Sequence, residues 1–229
     1  MNNKTHKVTI FLPCRAGSMR IPNKNTRVFS NDGLSLFQIK IKQLIKCNYI
    51  NSIVVSTDDT DIISQLNDYI DDKKIIVHHR DYGLCTSSTT TDELIKLVPN
   101  VVNDEHILWT HVTSPFVDSK LYDRMIVDYF SSLSDFDSLM SVNKIKKFIW
   151  DETKPINYDR SEVKWPFTQS IRSLYEINSA CFITSRANYI KHEDRIGVNP
   201  KLYNLSCKDS FDIDYMDDLD LAAHIYNSK

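Results

Sequence analysis

The chain has 229 residues, of which 41% are apolar, 25% charged and 10% aromatic, the proportions of one globular domain with its own core. Its 28 lysines and arginines face 30 aspartates and glutamates, a formal net charge of −2. That excludes bulk nucleic-acid binding by a strongly basic face, but not a local basic pocket for one phosphorylated small molecule.

From the N-terminus, residues 1–7 are polar and unlike a secretory leader. The apolar run 8–12 reads as a buried first strand. A polar loop over 13–25 follows, then a helix on Leu36, Phe37, Ile41, Leu44 and Ile45. Residues 52–56 form a second strand, and the acidic stretch 57–61 starts a helix whose face is Ile62, Leu66 and Ile70. Residues 75–77 are a third strand. Asp92 and Glu93 open a helix through Leu94, Ile95 and Val98 that Pro99 is expected to end or kink.

Residues 107–109 make a fourth strand. Leu121, Met125, Tyr129 and Leu133, with Tyr122, Ile126 and Phe130 beside them, make an amphipathic helix. A fifth strand at 138–142 precedes an aromatic, irregular stretch over 143–176 that suits an insertion or dimerisation flap. Residues 180–183 return to strand character, and 216–226 close the chain as a helix. The alternation predicts an α/β fold, a Rossmann-like, mostly parallel sheet with helices on both faces. Ligands in such sheets bind beyond the carboxyl ends of the strands, here the loops after strands one, three and four.

Several chemistries are excluded. The only glycines are Gly17, Gly33, Gly83 and Gly197, so neither GxGxxG nor GxxxxGK[ST] can be written. HExxH and GxSxG are missing too. Cys14, Cys47, Cys85, Cys181 and Cys207 are far apart with no CxxC pair, which argues against a disulfide framework or zinc site and for a reducing cytoplasm. No apolar run reaches the ~18 residues of a membrane span.

The basic loop over 13–25 reads either as a solvated surface loop with scattered cations or as an anion site. Arg15, Arg20 and Lys24 follow a buried strand directly, and Gly17 and Ser18 allow a tight turn with exposed amides. Amides for the oxygens and cations for the charge are what a polyphosphate needs.

RAGSMRIPNKN at 15–25 resembles the R-x-G-S-K-x-[IL]-P-x-K-N signature of the acylneuraminate cytidylyltransferases, the CMP-sialate synthetase group. VVSTDD at 54–59 is similar to the family's V-S-T-D, and residues 80–91 to its base-binding loop. Thr113-Ser114-Pro115 resembles part of Q-P-T-S-P-L, YEINSACF at 175–182 resembles Y-x-x-N-G-A-x-Y, and DSFDIDYMDDLDL at 209–221 resembles D-S-x-D-I-D-x-x-x-D-L. The likeness runs in order over residues 8 to 221.

The resemblance implies a nucleotidyltransferase fold, one cytidylyltransferase domain over 1–229 and a homodimer formed through a flap at 143–172. It implies a CTP-dependent enzyme that joins CMP to an acidic sugar, sialic-acid-like or another ulosonate, with magnesium, and releases pyrophosphate. Arg15, Ser18, Arg20 and Lys24 would hold the CTP phosphates, Asn25 the cytosine or ribose, and Arg80, Thr89 and Thr91 the cytosine pocket. Arg15 and Lys24 would act catalytically with Asp214, the candidate base working through water. Asp212 and Asp214 would bind the metal. On the acceptor side stand His111, Gln169 and Arg172, with Ser87, Ser88, Lys144 and Lys147 as further polar groups.

Of the departures, one falls in the basic loop and the rest on the acceptor side. Met19 replaces the signature lysine, with Arg20 next to it; His111-Val112 replaces Q-P; Thr168 replaces the arginine before Gln169, with Arg172 three positions on; Ser179 replaces the N-G-A glycine. Other readings are a cytidylyltransferase for a non-sugar anion such as a phosphonate, a glycosyltransferase using Asp212-Ile213-Asp214 as a D-x-D pair, and a non-catalytic nucleotide-binding module.

Overall fold

The computed structural model describes residues 6–69 and 71–228. Ile70, expected on the second helix's apolar face, and the polar residues 1–5 lie outside them. Seven strands form one sheet in the order β3-β2-β1-β4-β6-β5-β7. They are β1 (Val8–Cys14), β2 (Ile50–Thr57), β3 (Ile75–His79), β4 (His106–Trp109), β5 (Ser138–Ile145), β6 (Leu174–Ser185) and β7 (Pro200–Asn204). β6 alone runs antiparallel to its neighbours β4 and β5, while the other pairs are parallel. The mostly parallel sheet read from the sequence is therefore found.

Alternation along the strands builds a core on each face. Ile10 and Leu12 of β1, Val55 of β2 and Ile183 of β6 pack with α1 (Leu36–Ile45), α2 (Thr60–Leu66), α4 (Ser119–Ser131) and α6 (Met216–Asn227). Phe11, Val54, Trp109 and Phe182 face the other way, against α3 (Thr91–Val101) and Tyr189 of α5 (Arg186–His192). The helix starts follow the capping rules. Ser35 and Gln38 form a capping box for α1 and Thr90 and Glu93 one for α3; the Asp59 carboxylate accepts the Asp61 amide at the start of α2.

Three expectations are corrected and two elements are added. Pro99 sits inside α3, which runs on to Val101. The helix end survives because Arg186 donates to the carbonyls of Pro99 and Val102 (Nη2–O 2.6 Å and Nε–O 3.0 Å), satisfying carbonyls a helix terminus leaves open. Leu133 lies past the end of α4 and is 40% exposed, since Ser132 turns its hydroxyl back onto the Asp128 carbonyl. The irregular stretch starts after Ile145 and ends before Leu174, because its margins extend β5 and β6. The short elements α5 and β7 fall in a stretch with too few residues to show a period.

The chain crosses from β3 over to β4, on the far side of β1. The crevice between the carboxyl ends of β1 and β4 is thus the topological switch point where such sheets bind ligands.

Candidate active site

A cavity of about 580 Å³ opens at that crevice. Its walls come from the loops after β1, β3 and β4, the three loops expected. Arg15, Ser18, Arg20, Lys24, Asn25, Arg80 and His111 all line it. Met19 lines it too, 81% exposed, where a charged residue was missed.

The basic loop is fixed at several points. The Ala16 amide donates to Asp58 Oδ1 (3.0 Å) beyond β2, and Gly17 turns with φ 70°. Ile21 is fully buried beneath the loop. Asn23, at φ 51°, accepts the Thr26 and Arg27 amides, and the Asn25 carbonyl accepts the Phe37 amide of α1. Lys24 then reaches across the crevice, Nζ donating to the Ile213 carbonyl at 2.8 Å. Arg20 Nη2 meets Asp214 Oδ1 at 2.7 Å, with its guanidinium over the Tyr215 ring. Burial lowers the proton affinity of Lys24, and the nearby Asp214 and Asp212 oppose that shift.

Arg80 is buried, its Nε on Ser56 Oγ (3.1 Å) and an Nη on the Ser56 carbonyl. Among the described residues it has no carboxylate partner. Thr89 and Thr91 stand apart from this wall. The Thr89 hydroxyl accepts the Thr86 amide (3.1 Å), and Thr91 is exposed at the first position of α3. Ser87 and Ser88 are exposed in the same loop.

Asp212 and Asp214 flank Ile213, whose amide donates to the Thr113 carbonyl at 3.1 Å. Asp212 also bonds the Thr113 side chain. Both aspartates border a second, larger cavity of about 1030 Å³, together with Lys144, Lys146, Lys147 and Asn178. Burial, and Asp214 beside it, raise the proton affinity of Asp212. A divalent cation would relieve both penalties. Among the described residues no cluster of three metal-ligating side chains occurs, so two carboxylates with phosphate and water oxygens is the set that fits magnesium.

His111 lies half-buried at the boundary of the first cavity, its Nε2 accepting from Trp109 Nε1 at 2.9 Å. Gln169 and Arg172 line neither cavity. Gln169 is exposed on the irregular stretch, and Arg172 Nη2 donates to the Ile156 carbonyl at 3.0 Å.

Two groups escaped the sequence reading. Lys40 is fully buried, and its Nζ donates to the Ser114 carbonyl (2.7 Å) and Tyr122 hydroxyl (3.0 Å). Gln43, one turn on, donates to the Pro115 carbonyl at 2.7 Å. One face of α1 thus holds the loop carrying His111 and Thr113. Burial pushes the Lys40 ammonium down to about 7. The other is Arg195, next to His111. Each is a single basic residue in a polar or amphipathic context, so neither stood out in the sequence.

Ser179 adopts φ 58°, the left-handed region that favours glycine, at a slip in the β5–β6 register. Ser141 Oγ bridges Asn178 Oδ1 (2.6 Å) and the Cys181 amide (2.8 Å), holding the kink at the wall of the larger cavity.

A cytidylyltransferase family profile matches residues 9–224. The chain is 25% identical over 231 residues to an N-acylneuraminate cytidylyltransferase of Streptococcus agalactiae serotype V, covering 96% of this chain and 54% of the relative. It is also 25% identical to a pseudaminic acid cytidylyltransferase of Campylobacter jejuni, covering 94% of each. It thus spans about half the length of the first relative and nearly all of the second. Two solved structures share the fold. One is a CMP:2-keto-3-deoxy-manno-octonic acid synthetase complexed with CTP, at TM-score 0.66 and 14% identity over 96% of this chain and 98% of the other. The second is a 4-diphosphocytidyl-2C-methyl-D-erythritol synthase of Anaerococcus prevotii, at TM-score 0.68 and 16% identity over 98% and 99%. The chain belongs to the cytidylyltransferase family.

Proposed function

We propose that this chain transfers CMP from CTP to an acidic sugar, sialic-acid-like or another ulosonate, and releases pyrophosphate, with magnesium as cofactor. The carrying observation is the junction of Lys24 with the Ile213 carbonyl and of Arg20 with Asp214. It sets a polyphosphate-suited loop against a carboxylate pair from the far end of the sequence.

In the reaction an acceptor hydroxyl oxygen bonds to the α-phosphorus. The bond from that phosphorus to the oxygen shared with the β-phosphate breaks, and pyrophosphate leaves with the electron pair. The hydroxyl proton passes to Asp214 through water. Arg15, Ser18, Arg20 and Lys24 take the phosphate oxygens; fixed cations facing the charge that develops there supply most of the rate. Asn25 and Arg80 face the nucleoside, with Thr89 and Thr91 on the loop beyond. Asp212 and Asp214 would hold the magnesium, which when bound neutralises phosphate charge and aligns the two substrates.

The larger cavity suits the acceptor. Lys144, Lys146 and Lys147 favour an anion, and Asn143, Asn178 and Asn204 offer hydrogen bonds to hydroxyls. The relatives' names, N-acylneuraminate and pseudaminic acid cytidylyltransferase, support an acidic sugar. His111 borders the nucleotide side of this acceptor.

The same proposal takes residues 1–229 as one cytidylyltransferase domain and 143–172 as a dimerisation flap. Trp165 and Phe167 are 69% and 82% exposed there. In a homodimer Gln169 and Arg172 would serve the neighbouring copy's acceptor, which accounts for their distance from both cavities of their own chain. A monomer in sedimentation would remove this part. A cytoplasmic setting agrees with five free cysteines and with no helix, among the described residues, long and apolar enough to cross a membrane.

The test is a pyrophosphate-release screen of sialic-type, octulosonate and phosphonate acids with CTP, against ATP, GTP and UTP. CTP-specific release with an acidic sugar is expected. Consumption of a CMP-sugar instead would mark a glycosyltransferase, and nucleotide binding without release a binding module.

A further inference from the structure

His111 makes two contacts through one nitrogen. Trp109 Nε1 lies 2.9 Å from His111 Nε2, and Arg195 Nη1 lies 3.4 Å from the same atom. Indole and guanidinium nitrogens can only donate. Nε2 must therefore carry a lone pair, and the ring's hydrogen sits on Nδ1. Nδ1 takes no hydrogen bond within the described chain and is not among its buried unpartnered atoms. His111 itself lines the cavity.

Arg195 is built into place. Its guanidinium carbon lies 3.9 Å from the Phe182 ring centroid and 5.0 Å from that of Trp109, held by cation–π attraction on one face of the sheet. Among the described residues no carboxylate pairs with it, and Asp194, its chain neighbour, spends an oxygen on the Ile196 amide. Trp109 and His111, at i and i+2, project to one side of the strand end. We propose that Arg195 and Trp109 are positioning residues that fix His111 in one neutral tautomer, so that its Nδ1–H is a constant hydrogen-bond donor to an oxygen of the acid accepted at the site.

Every charge that acts on His111 is positive: Arg195 from the segment after α5, Lys24 from the basic loop and Lys40 from α1. Arg15 and Arg80 line the same cavity. With burial foremost, they push the imidazole down to about 3. A histidine in that setting is no switch near neutral pH, unlike an ordinary one. It offers a neutral N–H, as a side-chain amide would. The identity of the ligand rests on the cytidylyl-transfer reading; the tautomer does not.

Long-range nitrogen–proton NMR of the full chain, labelled with nitrogen-15 histidine, decides the tautomer without any substrate. His111 is assigned by its loss in His111→Gln. The expected wild-type pattern is a neutral ring protonated at Nδ1 from pH 5 to pH 8. In Arg195→Met the ring should titrate towards the ordinary value of ~6.5, while Arg195→Lys, which keeps the charge, should restore part of the wild-type pattern. In turnover, Arg195→Met should raise the acceptor KM roughly tenfold, the worth of one hydrogen bond, with kcat little changed. The rise should vanish in the His111→Gln background. A wild-type ring protonated at Nε2, or one titrating near the ordinary value, overturns the proposal. So does a KM rise from Arg195→Met that persists without His111. If no acid supports turnover, the cytidylyl-transfer reading fails and the spectra still decide the tautomer.

Discussion

The two cavities are linked by the bridge from Arg20, which lines the first, to Asp214, which lines the second, yet are built in opposite ways. The cleft proposed for the nucleotide lies at the ends of β1, β3 and β4 in the parallel part of the sheet, where Phe11 pairs with Trp109 of β4 and Cys14 with Thr57 of β2. Of its cations, Lys24 and Arg20 are tied to backbone and carboxylate across the crevice, and Arg80 to Ser56 of β2. The larger cavity is walled by β5, the antiparallel β6 and the segment after β7. Its lysines stand on a strand end that leads into the irregular stretch. A parallel sheet sets the geometry of the first cavity; the second depends on what the flap does.

The largest expected effect tests the rigid side. Lys24→Met removes a phosphate cation and the tie to Ile213, and pyrophosphate release should fall in kcat/KM by ~10²–10³-fold, the worth of one preorganised electrostatic group. A loss below tenfold would show that the loop does not hold the triphosphate. The acceptor side should respond differently. Gln169→Ala and Arg172→Ala should raise the acceptor KM about tenfold, one charge-assisted contact, and leave the CTP KM in place. Loss of CTP affinity instead would erase the division between the cavities.

Between those scales lies the brace from α1. Lys40→Met leaves the Ser114 carbonyl and Tyr122 hydroxyl short of a buried donor, and urea unfolding should show a loss of ~2 kcal/mol. The pH dependence has a definite sign. The folded chain holds the Lys40 proton with a pKa of about 7 against 10.5 for the ordinary group. Between those values the unfolded chain binds more protons, so wild-type stability rises with pH across the interval and declines as pH drops towards 7. Lys40→Met should flatten that slope. The smallest effect is on the acceptor wall. Ser179→Gly relieves a left-handed residue and should stabilise the chain by ~0.5 kcal/mol, allowing for glycine's looser unfolded state. Destabilisation there would mean that the serine hydroxyl does more than fill a turn.

Much of the sheet was legible because β1, β2 and β4 are short apolar runs, and a strand buried on both faces shows as just that. The long helices α1 and α4 announced themselves by period. Pro99 misled because where a helix ends depends on what satisfies its last carbonyls, and Arg186, which takes those of Pro99 and Val102, comes from far along the chain. At the site, Arg15 and Lys24 were legible in a basic loop that opens directly after β1, and Arg80 through the resemblance. Lys40 and Arg195 were not. A buried lysine on an apolar helix face looks like a surface residue in a sequence, and an arginine stacked on Phe182 and Trp109 gains its meaning only when β4 and β6 lie side by side.

Under the proposed function the Arg20–Asp214 bridge would make Asp214 an internal pseudosubstrate. Its carboxylate occupies a guanidinium that an incoming phosphate would otherwise claim. Loading nucleotide with its counter-cation would then be an exchange of partners, phosphate for carboxylate on the arginine and divalent ion for arginine on the aspartate. The resting pocket accordingly projects a weaker field than its basic residues would produce alone. Capture of the ligand is governed by that swap more than by long-range attraction.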